Sequence, residues 1–192
     1  MTTPRLSPYT DEQIAQRAEA SRTNDPDHCF QWSRTMAGLP AVGDYDGDGS
    51  ADAEDGYKAA IAGGQLHTDR RPPRGAIVFY SGGSRDNGHA AVSLSAGMER
   101  STDAGGRGVP ATVPLDWPER EWGLTYVGWT LGYAGWVIPA TPETKTKQRR
   151  EEVQAALKAL RHVRDTAKTE RGRKAAQAVI TRVKADFPGV AA

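Results

Sequence analysis

Residues 71–97, RPPRGAIVFYSGGSRDNGHAAVSLSAG, decide the class of fold that this sequence predicts. The runs at 71–80 and 88–97 are rich in apolar, β-branched and aromatic residues, and a Gly-, Ser- and Asn-containing segment separates them. This pattern is typical of two strands joined by a turn. Two further runs, at 107–115 and 124–138, have the same character. The sequence therefore predicts a meander of strands over this part of the chain.

Three segments before the strand region predict helices, at residues 10–21, 25–38 and 53–64. The first opens with a threonine N-cap and two acids, which the positive end of a helix favours. The second carries aspartates suited to an N-cap before Cys29, which therefore lies in or close to the first turn, and it ends at Gly38. The third ends at a pair of glycines. Helices followed by a meander of strands predict an α+β fold with an antiparallel sheet.

Charge is distributed unevenly along the chain, although the total formal charge is only +1. Residues 1–144 hold 12 Lys and Arg against 19 Asp and Glu, a difference of −7, and residues 145–192 hold 13 against 5, a difference of +8. This asymmetry predicts an acidic body and a basic tail that binds an anionic partner. Residues 139–145 (PATPETK) predict a linker, which divides the chain into a domain at 1–138 and a tail at 146–192.

The tail predicts a hairpin of two amphipathic helices, because apolar residues recur in it at helical spacing. Two such helices do not bury their apolar stripes alone, so we expect the hairpin to dock on the body or on a partner. The recurring residues are Val153, Ala156, Leu157, Leu160, Val163 and Ala167 in the first helix and Val179, Ile180, Val183 and Phe187 in the second.

Cysteine content and hydropathy exclude a disulfide-bonded chain and a membrane-spanning protein. Cys29 is the single cysteine of the chain, so an intrachain disulfide is excluded. The first 16 residues contain no apolar run of signal-peptide length, and no segment has the length and apolarity of a transmembrane helix. We expect a protein made in the cytoplasm, with no membrane association, that needs a carrier if it acts outside the cell.

Residues 44–55, DYDGDGSADAED, resemble a calcium-binding loop. An EF-hand loop takes oxygen ligands from positions 1, 3, 5, 7, 9 and 12 and has glycine at position 6 for its sharp turn. The segment before this loop is not helical and position 12 holds aspartate, as in the dockerin-type loop that has only the exit helix. The predicted ligands are Asp44, Asp46, Asp48, the carbonyl of Ser50, Asp52 and Asp55.

The ion predicted for this loop is a structural calcium rather than a catalytic metal. A catalytic metal keeps an open coordination position and often has nitrogen or sulfur ligands. The loop has neither His nor Cys, and it saturates the ion with its own oxygens. The alternative is an acidic turn that faces solvent and binds no metal.

The chemistry of the protein is predicted to lie at Cys29 and His89. A helix N-terminus stabilises a thiolate, which favours a reactive cysteine there. His89 follows a turn-rich segment and opens a predicted strand, and a base in that position needs a third group to orient its ring. Asp103, at the end of the next predicted strand, is a candidate for this third group. The alternative for Cys29 is a small buried apolar residue without catalytic function.

Four motifs together resemble the papain-like NlpC-type and CHAP cell-wall hydrolases: DHCFQWSRTMAG, PPRGAIVFY, GHAAVSLSAG and ERSTD. The resemblance covers residues 10–138, and the segment WGLTYVGWT is similar to the closing strand of actinobacterial and actinobacteriophage members. It implies a fold with N-terminal helices packed on an antiparallel sheet. It also implies that Cys29 is the nucleophile and His89 the base, with Asp103, Ser101 or Glu99 as the third residue.

The resemblance implies a peptidoglycan amide hydrolase, of the cysteine endopeptidase or N-acetylmuramoyl-L-alanine amidase type. We expect a phage lysin or tail-associated lysin that acts at the cell wall or in a virion, with a hairpin that contacts virion proteins or anionic wall polymers. The alternative is a non-catalytic, calcium-binding tail or wall-binding module on the same fold. Nucleic-acid binding through the tail is less favoured, because its helices carry no known reading motif and no interleaved aromatic residues.

Overall fold

The computed structural model of the protein describes residues 3–187 except residues 46, 84 and 96. It divides into two compact units, Met1–Thr141 and Pro142–Ala192. The boundary lies within the predicted linker, but a helix begins directly at Pro142. The prediction of a linker over 139–145 was therefore wrong for its last four residues, which belong to this helix.

The predicted helices and strands of the first unit occur in the predicted order, with two unpredicted elements added. The helices are α1 (Asp11–Ala20), α2 (Cys29–Ala37), α3 (Ala53–Ala62) and α4 (Trp117–Trp122). The strands are β1 (Arg5–Leu6), β2 (Ile77–Ser81), β3 (His89–Ser95), β4 (Met98–Ser101), β5 (Ala111–Pro114), β6 (Thr125–Thr130) and β7 (Trp136–Val137). Of these elements, α4 and β1 were not predicted.

Five of the strands form one antiparallel sheet, in the order β5-β4-β3-β2-β6, which confirms the predicted α+β class. In its register Tyr80 of β2 lies opposite His89, and Ala91 of β3 lies opposite Ser101. The remaining strands, β1 and β7, pair in parallel as a separate two-stranded sheet.

The two faces of the five-stranded sheet bury different sets of side chains, because successive residues of a strand point to opposite sides. Helices α1, α2 and α3 pack on one face, where Ile77, Phe79 and Val92 are fully buried. On the other face Val78 and Tyr80 pack with residues from the segment around α4 and from β6. His89 shares this second face with Tyr80.

Capping residues set the ends of the helices that lead to the site. Thr10 forms a capping box with Gln13 at the start of α1. Helix α2 begins at Cys29 with His28 as its N-cap, and it ends at Gly38. Neither of the aspartates predicted as the cap takes that position. The backbone of Asp27 is left-handed, with φ of 65°, and this conformation does not continue into a right-handed helix.

The second unit is the predicted hairpin of two helices, α5 (Pro142–Thr166) and α6 (Glu170–Asp186). Thr169 caps α6 by accepting a hydrogen bond from the backbone of Gly172. Leu157 of α5 and Ile180 of α6 are buried. No helix in the described ranges combines the length and apolarity that crossing a membrane requires.

Candidate functional site

A cleft of about 940 Å³ opens where four segments of the first unit meet. These segments are the start of α2, the turn between β2 and β3, the loop after β4 and the end of α4. The residues that line the cleft are Pro26, Asp27, His28, Cys29, Gly82, Gly83, Arg85, Asn87, Gly88, His89, Asp103, Arg107, Trp122 and Leu124. The two residues for which the sequence predicts catalysis, Cys29 and His89, therefore face the same space.

Cys29 is the first residue of α2 and is half-buried. Burial raises the pKa of its thiol to about 11, and the negative charges of Asp52 and Asp103 act in the same direction. The backbone N–H groups of Ala90 and Phe30 hydrogen-bond to the sulfur and lower its pKa, but their effect is smaller. The thiol is therefore protonated at neutral pH and needs a base to become a nucleophile.

His89 is the first residue of β3, and only 6% of its surface is exposed. Burial lowers the pKa of the imidazole to about 4, against a smaller opposing effect of Asp103, so the ring is neutral at pH 7. The Trp122 ring stands edge-on to it, with a centroid distance of 5.0 Å and an interplanar angle of 76°. The Tyr80 ring lies 6.1 Å away. The neutral imidazole has a lone pair that can accept a proton, but the burial that lowers its pKa also opposes formation of the imidazolium.

One ring nitrogen of His89 is held by the neighbouring strand. Its Nε2 lies 2.7 Å from Oγ of Ser101, a fully buried residue on β4. The serine hydroxyl donates to or accepts from Nε2 according to the tautomer of the ring. This contact fixes the ring plane and leaves Nδ1 to exchange a proton with another group. Ser101 thus has the orienting position that the sequence assigned first to Asp103 and, as an alternative, to Ser101.

Asp103 lines the cleft, but its carboxylate accepts hydrogen bonds from groups other than the imidazole. These are Nδ2 of Asn24 at 3.1 Å, the backbone N–H of Asp27 at 3.3 Å and the backbone N–H of Gly108 at 2.6 Å. Continuing the β3–β4 register would bring Asp103 opposite His89. The strand ends at Ser101, however, and the left-handed backbone of Asp103, with φ of 58°, turns it away. The carboxylate instead ties the loop after β4 to the segment before α2.

The acidic loop at 44–55 folds around its own backbone N–H groups. Asp44 accepts from Gly47 and Gly49 at 2.6 and 2.9 Å, and Asp48 accepts from Ser50 at 2.8 Å. These short-range bonds make a tight turn of the loop, as an ion-binding loop with a central glycine requires.

The end of this loop leads into α3. Asp52 is the N-cap of α3 and accepts from Glu54 at 2.9 Å, while the fully buried Asp55 accepts from the backbone of Asp52 at 3.0 Å and from that of Tyr45. Burial raises the pKa of Asp52. Asp46, a further predicted ligand, lies outside the described residues. Among the residues that are described, no three His, Cys, Asp or Glu side chains lie close enough together to hold a metal ion, so the calcium site stays a prediction.

Helix α3, the exit helix of the acidic loop, contacts both sides of the cleft. Its Glu54 N–H donates to the carbonyl of Asn87, two residues before His89, at 3.2 Å. Gly56 packs so closely on α2 that a Cβ atom there would lie 2.6 Å from the ring of Phe30. The loop is therefore connected through α3 to the helix that carries Cys29 and to the strand that carries His89.

The further residues of the cleft include Arg85, Arg107 and Trp122, none of which was predicted to be catalytic. Arg107 forms an ion pair with Asp27 at 2.9 Å, in which both side chains are largely exposed. Trp122 ends α4, whose six residues are too few for a periodic signal. The local signal for α4 was present in the sequence, because a proline follows its first residue and Gly123 ends it.

The chain was compared with known proteins. No protein-family model matches it, and no curated protein has a similar sequence. The contacts within the cleft are consequently the observations on which a function is proposed.

Proposed function

We propose that the protein is a cysteine hydrolase of the NlpC/CHAP type that cleaves an amide bond of peptidoglycan. The proposal is carried by one observation: the first residue of α2, Cys29, and the first residue of β3, His89, line one cleft, and Ser101 holds the far nitrogen of the imidazole. A thiol, a base and a group that orients the base are the three parts that nucleophilic catalysis by cysteine needs. In this proposal the protein is a lysin that acts at the cell wall or in a virion.

The reaction begins with transfer of the thiol proton of Cys29 to Nδ1 of His89, whose Nε2 stays bonded to Ser101. The thiolate attacks the carbonyl carbon of the substrate amide, and the tetrahedral intermediate carries its negative charge on oxygen. The backbone N–H groups at the start of α2 stabilise that oxyanion. The imidazolium then protonates the leaving amine, and the C–N bond breaks to give a thioester and a free amine.

Water completes the cycle. His89, again neutral, removes a proton from the water molecule that attacks the thioester carbonyl. The C–S bond breaks to give the product acid, which ionises to a carboxylate, and the imidazolium returns its proton to the sulfur of Cys29. Because the pKa of Cys29 is raised to about 11 and that of His89 is lowered to about 4, the resting site is neutral. The charge pair forms during the reaction rather than before it.

We further propose that the loop at 44–55 binds a structural calcium ion. Its donor set consists of oxygen atoms, which calcium prefers. Asp55 is fully buried and Asp52 is half-buried, so a cation would compensate the cost of burying two carboxylates. A bound calcium ion would offset part of the negative charge of the loop. The bond from Glu54 to Asn87 then joins the start of α3 to the segment before His89.

The experiment that tests the hydrolase is release of new amino groups from purified cell walls in calcium buffer. We expect release by the natural protein and its loss in Cys29→Ala and His89→Gln. His162→Gln is the matched control, since His162 is exposed on the second unit, and it should leave the rate unchanged. Full activity in Cys29→Ala would exclude the thiol mechanism.

The second candidate function is a non-catalytic wall-binding or virion module with the same fold. It is favoured by the raised pKa of Cys29, since a thiol that stays protonated at neutral pH is also typical of a structural cysteine. This candidate predicts that the natural protein sediments with cell walls without releasing amino groups, and that Cys29→Ala sediments equally well.

A further inference from the structure

One positive charge in the cleft is left without a partner among the described residues. Four charged side chains line the cleft. Asp27 and Arg107 pair with each other, and Asp103 accepts three hydrogen bonds. The fourth, Arg85, is exposed and forms no hydrogen bond or ion pair with another described residue. The other charged side chains of the cleft have partners within the protein, so the Arg85 guanidinium is available to bind a ligand.

The connection that carries Arg85 is fixed at both ends and leads directly to the base. Arg85 lies four residues before His89, in the connection from β2 to β3. Gly82 and Gly83 both have φ of +97°, a conformation that residues with a side chain rarely adopt. The N–H of Gly88 closes the turn on the carbonyl of Gly82 at 3.0 Å. Arg85 and His89 therefore belong to the same one of the four segments that line the cleft.

The position of Arg85 relative to the base tells which part of a substrate it would meet. In the proposed reaction His89 protonates the leaving amine, so the leaving group lies on the His89 side of the cleft. Arginine binds carboxylates through two parallel N–H···O bonds. The wall formed by Trp122 and Leu124 is apolar, and it suits an aliphatic part of the same substrate.

We propose that Arg85 binds a free carboxylate on the leaving-group side of the scissile amide. The substrate class is then a peptide in which the residue released with a new amino group also carries an ionised carboxyl group. Arg107 does not share this role, because its charge is compensated by Asp27.

Two synthetic peptides that differ only at this group, carboxylate against carboxamide, test the assignment. A charge-assisted hydrogen bond contributes about tenfold or more to a rate or an affinity. We expect the natural protein to prefer the carboxylate peptide by about 10- to 100-fold in kcat/KM, and Arg85→Gln to reduce this ratio to near 1. Arg85→Lys should keep part of the preference. Arg107→Gln is the matched control and should keep it all.

Because this assignment rests on the proposed hydrolase activity, the same peptides are also titrated into Cys29→Ala by calorimetry. Tighter binding of the carboxylate peptide to Cys29→Ala, together with loss of that preference in the double variant with Arg85→Gln, supports the carboxylate site. If the natural protein then cleaves neither peptide, the hydrolase proposal fails but the carboxylate site stands. Equal binding of the two peptides, binding of neither, or a preference that persists in Arg85→Gln overturns the site.

Discussion

Replacing Glu99 by glutamine is expected to remove a loss of stability that the natural protein undergoes as pH rises from 6 to 8. Glu99 is fully buried on β4. Its Oε2 lies 2.6 Å from the hydroxyl of Tyr80, which also lies 2.7 Å from the carbonyl of Leu115. One hydroxyl has one proton. When Tyr80 donates to Leu115, its oxygen accepts from Glu99, and this requires Glu99 to be protonated.

The magnitude follows from the pKa of Glu99 in the folded and unfolded chain. Burial raises this pKa from 4.5 to about 8, and the negative charge of Glu119 acts in the same direction, against an opposing hydrogen bond from Tyr80. The folded protein therefore keeps a proton that the unfolded chain releases above pH 4.5. The contribution of the protonated Glu99 to the free energy of unfolding is complete below pH 4.5 and is lost as pH rises toward 8. With 1.36 kcal/mol per pKa unit, the loss is about 2 kcal/mol between pH 6 and 8.

Urea denaturation at pH 6, 7 and 8 measures this loss. Over this range Glu99→Gln, whose amide does not ionise, should lose about 2 kcal/mol less than the natural protein. The lowered pKa of His89 raises the stability as pH rises above 6, but it does so equally in both proteins. Glu121→Gln is the control, because Glu121 is exposed on α4, and it should follow the natural protein. The same pH dependence in Glu99→Gln and in the natural protein would refute the reasoning.

Three further predictions concern the cleft and the acidic loop. Ser101→Ala should lower kcat about tenfold, the equivalent of one hydrogen bond of about 1.4 kcal/mol, with KM unchanged; an equal loss in the control Ser93→Ala, a buried serine on β3, would contradict a specific role. Trp122→Ala should hydrate His89 and raise its pKa from about 4 toward 6.5. Since the base must be neutral, the acid limb of the pH–rate profile moves to higher pH; an unmoved limb would contradict this. Chelation by EDTA should lower the melting temperature and the activity, and Cys29→Ala should bind calcium normally in calorimetry. An unchanged melting temperature in EDTA would exclude the calcium site.

Local chemistry made much of the fold predictable. The threonine before α1 and the acids in its first turn, the paired glycines after α3 and the apolar run at residues 77–80 act over a few residues. The structure has a helix or a strand at each of these places. The two elements that were not predicted are short. Helix α4 has six residues and β1 has two, and such lengths give no period for a pattern to show.

The sequence by itself determined the α+β class, the basic hairpin and the choice of Cys29 and His89 as candidates, because these follow from local periodicity, capping and charge. Only the tertiary structure decided that Ser101 contacts the imidazole and that Asp103 bonds to Asn24 and the backbone. Spacing along the chain puts both residues near His89. Which of them faces the ring depends on the register of β3 with β4 and on the left-handed backbone at Asp103. The register belongs to two consecutive strands, but the Asp103 carboxylate is held by Asn24 and Asp27, which are distant from it in sequence.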